Sequence, residues 1–301
     1  MKIGVALGSG GARGLAHIGV LKAIVDSGVE ISYISGSSMG AVVGAVYAAT
    51  QSVDELDQVA RGFTWRSLVR MFTPSISRGG LIDGENIVEF LRDHLPVRDF
   101  SQLNIPFALE TTDLETGELV TIKEGDLMQA IRASISIPLI FTPSEIDGRI
   151  LVDGGLVSPV PVKTVREMGA DYVIAVNVLE KHRGWVKQRK TQSRTAGKEE
   201  TSANFLSRVL RMKPEEEKSV RQADKDLGFM VVLTQTVGIA ISRMADYQLQ
   251  LENPELLIQP DTSDLNVYDF HRGAAVIDTA YRLTCDRLKE LKFPEQHPLN
   301  I

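Results

Sequence analysis

Apolar positions along the chain alternate between two periods from the first residues onward. Lys2–Leu7 reads as a strand, apolar after its lysine, and it stops abruptly at a glycine-rich loop. From Gly14 to Ser27 the period lengthens, with Leu15, Ile18, Leu21 and Val25 at helical spacing and Gly28 where a helix stop belongs. Ile31–Ser35 reads as a second strand, and Met39–Ala49 as a helix of small residues. Strand, loop and helix, repeated in that order, predict a parallel sheet with helices packed on its faces.

The pattern continues downstream. Ile87, Phe90 and Leu91 predict a helix over Asp83–Leu95. Phe107–Thr111 and Glu118–Ile122 read as strands joined through the turn at Glu115-Thr116-Gly117. Asp126–Ala133 reads as a helix opening on an acidic cap, and Arg149–Val152 and Tyr172–Val178 as β-branched strands. Composition then shifts: Lys181 to Lys198 holds seven Lys/Arg and no acid, and mixed charges follow to Asp226. We read 181–226 as an excursion from the domain, most simply a solvated loop and alternatively a patch for anionic headgroups. Phe229, Leu233, Val237, Ala240, Met244, Tyr247 and Leu251 then recur every three or four residues, predicting a long helix with a core stripe. Leu256–Gln259 and Arg272–Leu291 add a short strand and a closing helix. The expected fold class is α/β: one domain over 1–301, with a central, mostly parallel sheet sandwiched by helices.

Composition narrows the function classes. At 301 residues and 43% hydrophobic, the chain supports a substantial core. A net charge of -6 argues against a nucleic-acid partner. The single Cys285 cannot form an internal disulfide, and no His/Cys cluster has zinc-ligand spacing. The apolar start reads as a strand feeding a glycine loop rather than as an export signal, so a reducing, cytoplasmic setting is expected. The longest apolar stretch, Leu227 to Ile241, falls short of the roughly 20 residues that a membrane span needs. Peripheral contact with a membrane surface remains compatible with it.

Three glycine-flanked clusters carry chemistry. Gly36-Ser37-Ser38-Met39-Gly40 fits G-x-S-x-G, a sharp strand-to-helix turn that lifts a serine oxygen clear of the backbone. Ser38 has Gly36 and Gly40 two positions away, whereas Ser37 would have Ser35 and Met39, so Ser38 is the candidate nucleophile. The second cluster runs from Gly8 to Gly14. A dinucleotide fingerprint is excluded by register, because Arg13 stands where the third glycine should be, and no Gly-Lys-Ser/Thr follows for a P-loop. What remains is a row of consecutive glycine amides at a helix start, an anion site that becomes an oxyanion hole beside a serine nucleophile. Arg13 is expected to orient this loop, meet a phosphate or join an ion pair. The third cluster, Val152-Asp153-Gly154-Gly155, puts an acid at the end of an apolar strand, where α/β sheets place their sites. Among the five histidines only His271 follows serine and acid in hydrolase order near an element start, which makes it the rival base.

Four motifs occur in one order: Gly10-Gly11-Ala12-Arg13-Gly14, the elbow at Gly36–Gly40, the run Ala133-Ser134-Ile135-Ser136-Ile137-Pro138-Leu139-Ile140-Phe141, and Asp153-Gly154-Gly155. Together they resemble the patatin-like phospholipase family, its bacterial members in particular, over roughly residues 1–180. The resemblance implies a Ser38–Asp153 dyad without histidine, an acyl-serine intermediate and an oxyanion held by the Gly10–Ala12 amides. Gly36, Gly40, Gly154, Gly155 and Arg13 would then support the site. It implies a lipid or acyl-ester substrate and no metal or organic cofactor; the oligomeric state is left open. The same residues would serve a thioesterase, a short-chain esterase, or a lipid-binding protein with little turnover.

Overall fold

Strand β1 (Ile3–Leu7) is buried at every residue. Apolar residues on both faces suit only the middle of a sheet covered on both sides, and β1 occupies that place. It pairs in parallel with β2 (Ile31–Ser37) on one side and β7 (Tyr172–Val176) on the other. In the computed structural model, which describes residues 1–62, 82–179 and 229–290, these strands belong to one eight-stranded sheet. Its order is β5-β6-β3-β2-β1-β7-β8. Here β3 is Phe107–Asp113, β5 Ser144–Ile146, β6 Arg149–Asp153 and β8 Leu256–Ile258. Strand β4 (Leu119–Ile122) pairs antiparallel to β3 off this path. Strands β1, β2, β3, β7 and β8 are joined in parallel, β4 and β6 run against them, and β5, antiparallel to β6, returns to their direction.

Helices cover both faces, as the βα alternation requires. Helix α1 (Ala16–Asp26) packs tightly along α8 (Gly273–Glu290), and a Cβ at Gly19 would strike the Ile277 carbonyl. Helix α2 (Met39–Thr50) fills the space beside β2 with small residues. Helix α3 (Val53–Arg61) starts on a Ser52 cap that accepts the Glu55 amide. Helices α4 (Glu85–His94) and α5 (Leu127–Ser134) follow, and the expected acidic cap of α5 is Asp126, accepting from the Gln129 N–H at 2.9 Å. Helix α6 (Val162–Glu167) covers the other face, where Val162 and Val165 pack with Ala6, Val173 and Ala175. The helix α7 (Phe229–Glu252) returns the chain to β8 at the sheet edge.

Two expectations need correction. Val25, placed on the core face of α1, is 40% exposed, because the last turn buries its neighbour Ile24 instead. More consequential, the core stripe assigned to α7 faces solvent: Met244, Tyr247 and Leu251 are 40%, 63% and 85% exposed. The face that packs carries Ala245, Gln248, Leu249 and Glu252 instead, held by polar contacts to α6 and the segment before it. Elements α3, α6 and β5 had no clear signal in the sequence. The excursion at 181–226 lies outside the described residues.

Candidate active site

The parallel strands β1 and β2 end side by side, with Leu7 opposite Gly36. Each therefore delivers its following loop to the same end of the sheet. The chain turns from β2 into α2 at Ser38, which holds φ 55 and ψ −121. A positive φ is strained for a serine, and such strain persists only where the surroundings enforce it. Here they do. A Cβ at Gly40 would strike the Leu7 carbonyl, and one at Gly36 would strike the carbonyl of Gly40. The elbow therefore requires both glycines, and the serine between them is lifted over the strand ends.

Ser38 Oγ donates to Asp153 Oδ2 at 2.6 Å, and both residues are buried. Asp153 arrives from the far side of the sheet: it ends β6, opposite Thr111 of β3. It is fixed at four points. Its amide donates to the Ser136 carbonyl at 3.0 Å, and its carbonyl accepts from Thr112 Oγ1 at 2.9 Å. Its other carboxyl oxygen accepts the Gly155 amide at 2.7 Å, and Ser38 holds the first. Gly154 is required because a Cβ there would meet the Glu110 carbonyl. Burial pushes the Asp153 carboxyl up to about 6, against the opposing effect of the hydrogen bonds from Ser38 and Gly155. A carboxylate in this range is suited to take a proton near neutral pH.

The neighbouring Ser37 points to the other side, as strand alternation demands. Its Oγ accepts from Ser9 Oγ at 2.9 Å, so it braces the glycine loop rather than facing Asp153. That loop is pinned on both flanks. The Ser9 amide donates to the Pro159 carbonyl at 2.8 Å, and Arg13 Nε to the Leu265 carbonyl at 2.8 Å. Arg13 thus orients the loop, the first of the roles expected of it. One expected donor is spent elsewhere: the Ala12 amide donates to the Val267 carbonyl at 2.9 Å. Among the described residues the Gly10 and Gly11 amides have no such acceptor, and they are the donors left to the loop. The Met39 amide, at the start of α2, is one of the helix-start N–H groups with no partner within the helix and adds a third candidate.

The run Ala133–Phe141 braces both members of the pair. Ser134 Oγ accepts the Ser38 amide at 3.0 Å and donates to the Glu110 carbonyl at 2.7 Å, while the Ser136 carbonyl holds the Asp153 amide. Arg132 ties the run down from inside: it reaches the Asp83 carbonyl, Ser136 Oγ, and both oxygens of Thr142. Ser134, Ser136, Arg132 and Thr112 were not singled out in the sequence beyond the motif two of them belong to. Serines at alternate positions carry no local mark of the distant partners they hold.

The histidines stand apart from the pair. His271 is exposed in the 3-10 turn before α8, and the Ser38 proton is directed at Asp153. His17 is fully buried in α1, where its Nε2 donates to the Gly8 carbonyl at 2.7 Å. Only the neutral Nε2–H tautomer makes this bond while leaving Nδ1 without a proton, and burial lowers the imidazole to about 4. On the opposite face from Ser134, the Glu110 carboxyl is bonded by Thr164 and pushed up to about 7 by burial.

A serine hydroxyl held on a buried carboxylate, beside unspent amides, can attack an ester carbonyl and stabilise the resulting anion. The comparisons agree with that chemistry. The family model described as patatin-like phospholipase matches residues 5–166. An NTE family protein of Mycobacterium tuberculosis is 33% identical over 98% of this chain and 93% of its own length. Patatin-like phospholipase domain-containing protein 6 of Homo sapiens is 32% identical over 58% of this chain but only 13% of its own length. The crystal structure of VipD from Legionella pneumophila aligns over 96% of this chain and 67% of that one, at 14% identity and a TM-score of 0.48. By the family match and by the relatives that share it, the chain belongs to the patatin-like phospholipase family of ester hydrolases.

Proposed function

We propose that the chain cleaves carboxylic esters of lipids through a Ser38–Asp153 dyad and an acyl-serine intermediate. The observation that carries this reading is the 2.6 Å hydrogen bond from the strained Ser38 to the buried Asp153. Asp153 takes the Ser38 proton as Oγ attacks the acyl carbonyl, and the Gly10 and Gly11 amides, with that of Met39, hold the oxyanion. Collapse expels the alcohol, which receives the proton from Asp153. Water, deprotonated by the same carboxylate, then attacks the acyl-serine and returns Ser38. No step calls on a metal or an organic cofactor. The single cysteine and the family membership support a site of action in the cytoplasm, at or near lipid.

Intact mass after incubation with a fluorophosphonate tests this directly. One adduct on wild type, absent from Ser38→Ala, is expected, together with release of fatty acid from a monomeric lysophospholipid. An adduct retained in Ser38→Ala, or folded wild type that takes none, refutes the dyad.

A further inference from the structure

Helix α7 rises past the catalytic end of the sheet. Its last turns are anchored: Ala245 is fully buried, Gln248 donates to Ser158 Oγ at 2.9 Å and accepts the Val160 amide at 3.2 Å, and Glu252 accepts the Lys163 amide at 2.8 Å. Beyond Glu252 the chain enters β8, which runs parallel to β7 and so starts at the end of the sheet away from Ser38. The helix therefore points its N-terminus toward the Ser38 end. Gln248 is already level with the glycine loop, because Pro159, between its two partners, holds the Ser9 amide. The helix from Gln248 back to Phe229 adds about 28 Å at 1.5 Å per residue.

From Phe229 to Ser242 this projection has no charged residue. Val232 and Ile239 are 45% and 46% exposed, and Tyr247 below them 63%. Gln235, Thr236, Gly238 and Ala240 are exposed as well, and a Cβ at Gly238 would meet nothing within 4 Å. The exposed positions span about half of the helix circumference, with Val232 and Ile239 on one line of it, while Leu233, Val237 and Ile241 on the other side are half-buried. A charge-free helix with apolar side chains at most angles belongs in an apolar surrounding. A second apolar feature rises at the same end on the other side of the dyad. Leu114, Leu119 and Ile150 are 53%, 40% and 37% exposed, and the Leu114 amide pairs with the Ile150 carbonyl. Thr111 stands opposite Asp153, so Leu114 lies about 10 Å further along the strand.

We propose that this end of the molecule docks on a lipid surface, with the charge-free half of α7 seated among acyl chains and the Leu114–Ile150 pair at the margin. The exposed arc is wider than the stripe that a partner helix buries, carries no charge, and stands at the end where a lipid ester must reach Ser38, which favours acyl chains over a second protein chain. The charge-free length is about 20 Å, too short for a hydrocarbon core of about 30 Å. No described helix is long and apolar enough to cross a membrane, so α7 enters one leaflet. The exposed Glu115 and Glu118 beside Leu114 select a zwitterionic surface over a strongly anionic one. The inference rests on the lipid-ester reading of Ser38, whose substrate lies in such a surface and would reach the dyad without crossing water.

The test is co-sedimentation of the Ser38→Ala protein with phosphatidylcholine vesicles at low and high salt, with and without Ile239→Glu. Binding that survives high salt and falls about tenfold or more in Ile239→Glu is expected, because a carboxylate among acyl chains is costly. In the Ser38 background, Ile239→Glu should leave hydrolysis of a soluble short-chain ester unchanged, which shows that the variant folds. No binding by the parent, equal binding by Ile239→Glu, or binding confined to anionic vesicles at low salt overturns docking through α7. So does a dimer by light scattering that Ile239→Glu dissolves. Hydrolysis of lysophospholipid below its micellar concentration involves no surface. Its absence therefore strikes the reading of Ser38, whereas vesicle failure with that activity intact strikes only the docking.

Discussion

If Asp153 is the base, its ionisation governs the attacking step below neutral pH. Burial raises its carboxyl from 3.8 to about 6, a preference for the neutral acid of about 3 kcal/mol. Only the carboxylate can accept the Ser38 proton. The competent fraction is then about one half at pH 6, about a tenth at pH 5 and about a hundredth at pH 4. The second-order rate of fluorophosphonate labelling, followed by intact mass across this range at constant ionic strength, reports the step without acyl-enzyme turnover or product release. The expected profile is a one-proton rise centred near 6 and level above about 7.5. Glu110 is the neighbour able to imitate it, since burial lifts its carboxyl to about 7 and its carbonyl holds Ser134. Glu110→Gln separates the two, because it removes that titration and should leave the midpoint near 6. A midpoint near 4, where an ordinary carboxylate titrates, refutes the argument. So does a midpoint that moves with Glu110→Gln or with His271→Ala.

Other consequences can be measured independently. The Asp153 pKa is raised by folding, so its contribution to stability is full below about pH 4 and is lost as pH rises through about 6. Asp153→Asn, with no charge to bury, should therefore be more stable than wild type at pH 8 by about 1–3 kcal/mol in urea melts, and no more stable at pH 4. Equal stability at both values would contradict the burial account. Ser134→Ala strands the buried Ser38 amide, a loss of about 1–3 kcal/mol; kcat should fall about 10- to 100-fold at unchanged KM, with recovery in Ser134→Thr. A lower melting point with kcat intact would leave Ser134 a purely structural role. Gly40→Ala drives a Cβ into the Leu7 carbonyl and should cost more than about 3 kcal/mol in the same melts; a loss under about 1 kcal/mol would mean that the elbow relaxes. His271→Ala should stay within about twofold of wild-type turnover, and a larger loss than that of Asp153→Asn would restore a triad.

The parts of the fold written in local pattern were legible from it. Strands β1 and β7 are uniform apolar runs because both of their faces are covered, and the Asp126 cap announces α5 before any tertiary contact is known. The elbow was legible for the same reason, since collisions across one turn demand Gly36 and Gly40. Pairings between distant segments left no such mark. Ala12 reads as a third oxyanion donor until Val267, far along the chain, takes its amide. Ser134 and Ser136 belong to a recognisable run, but nothing local tells that their partners are Ser38 and Asp153 across the sheet. The spacing of apolar residues in α7 is helical, as expected, but periodicity gives the angle between side chains and not the direction of the core. Gln248 and Glu252 turn that helix to the sheet by polar contacts that hydrophobic spacing cannot register.

If Ser38 and Asp153 form the proposed dyad, these contacts also explain how a carboxylate can stand where a histidine usually does. An exposed aspartate, ionised far below neutral pH, is a weak base, and nothing in its pKa suits it to hold a serine proton at pH 7. Burial of Asp153 moves it into the imidazole range, while the amide of Gly155 keeps one carboxyl oxygen occupied and aims the other at Ser38. The unfavourable burial is tolerated because its neighbours are rigid. Thr112, Ser136 and the β3–β6 pairing fix the Asp153 main chain, so the carboxyl cannot swing toward solvent to ionise more easily. The same segments reach the nucleophile through Ser134 and the Glu110 carbonyl. Base strength and serine geometry are therefore set by one network, and a change that loosens it should lower the Asp153 pKa and the rate together.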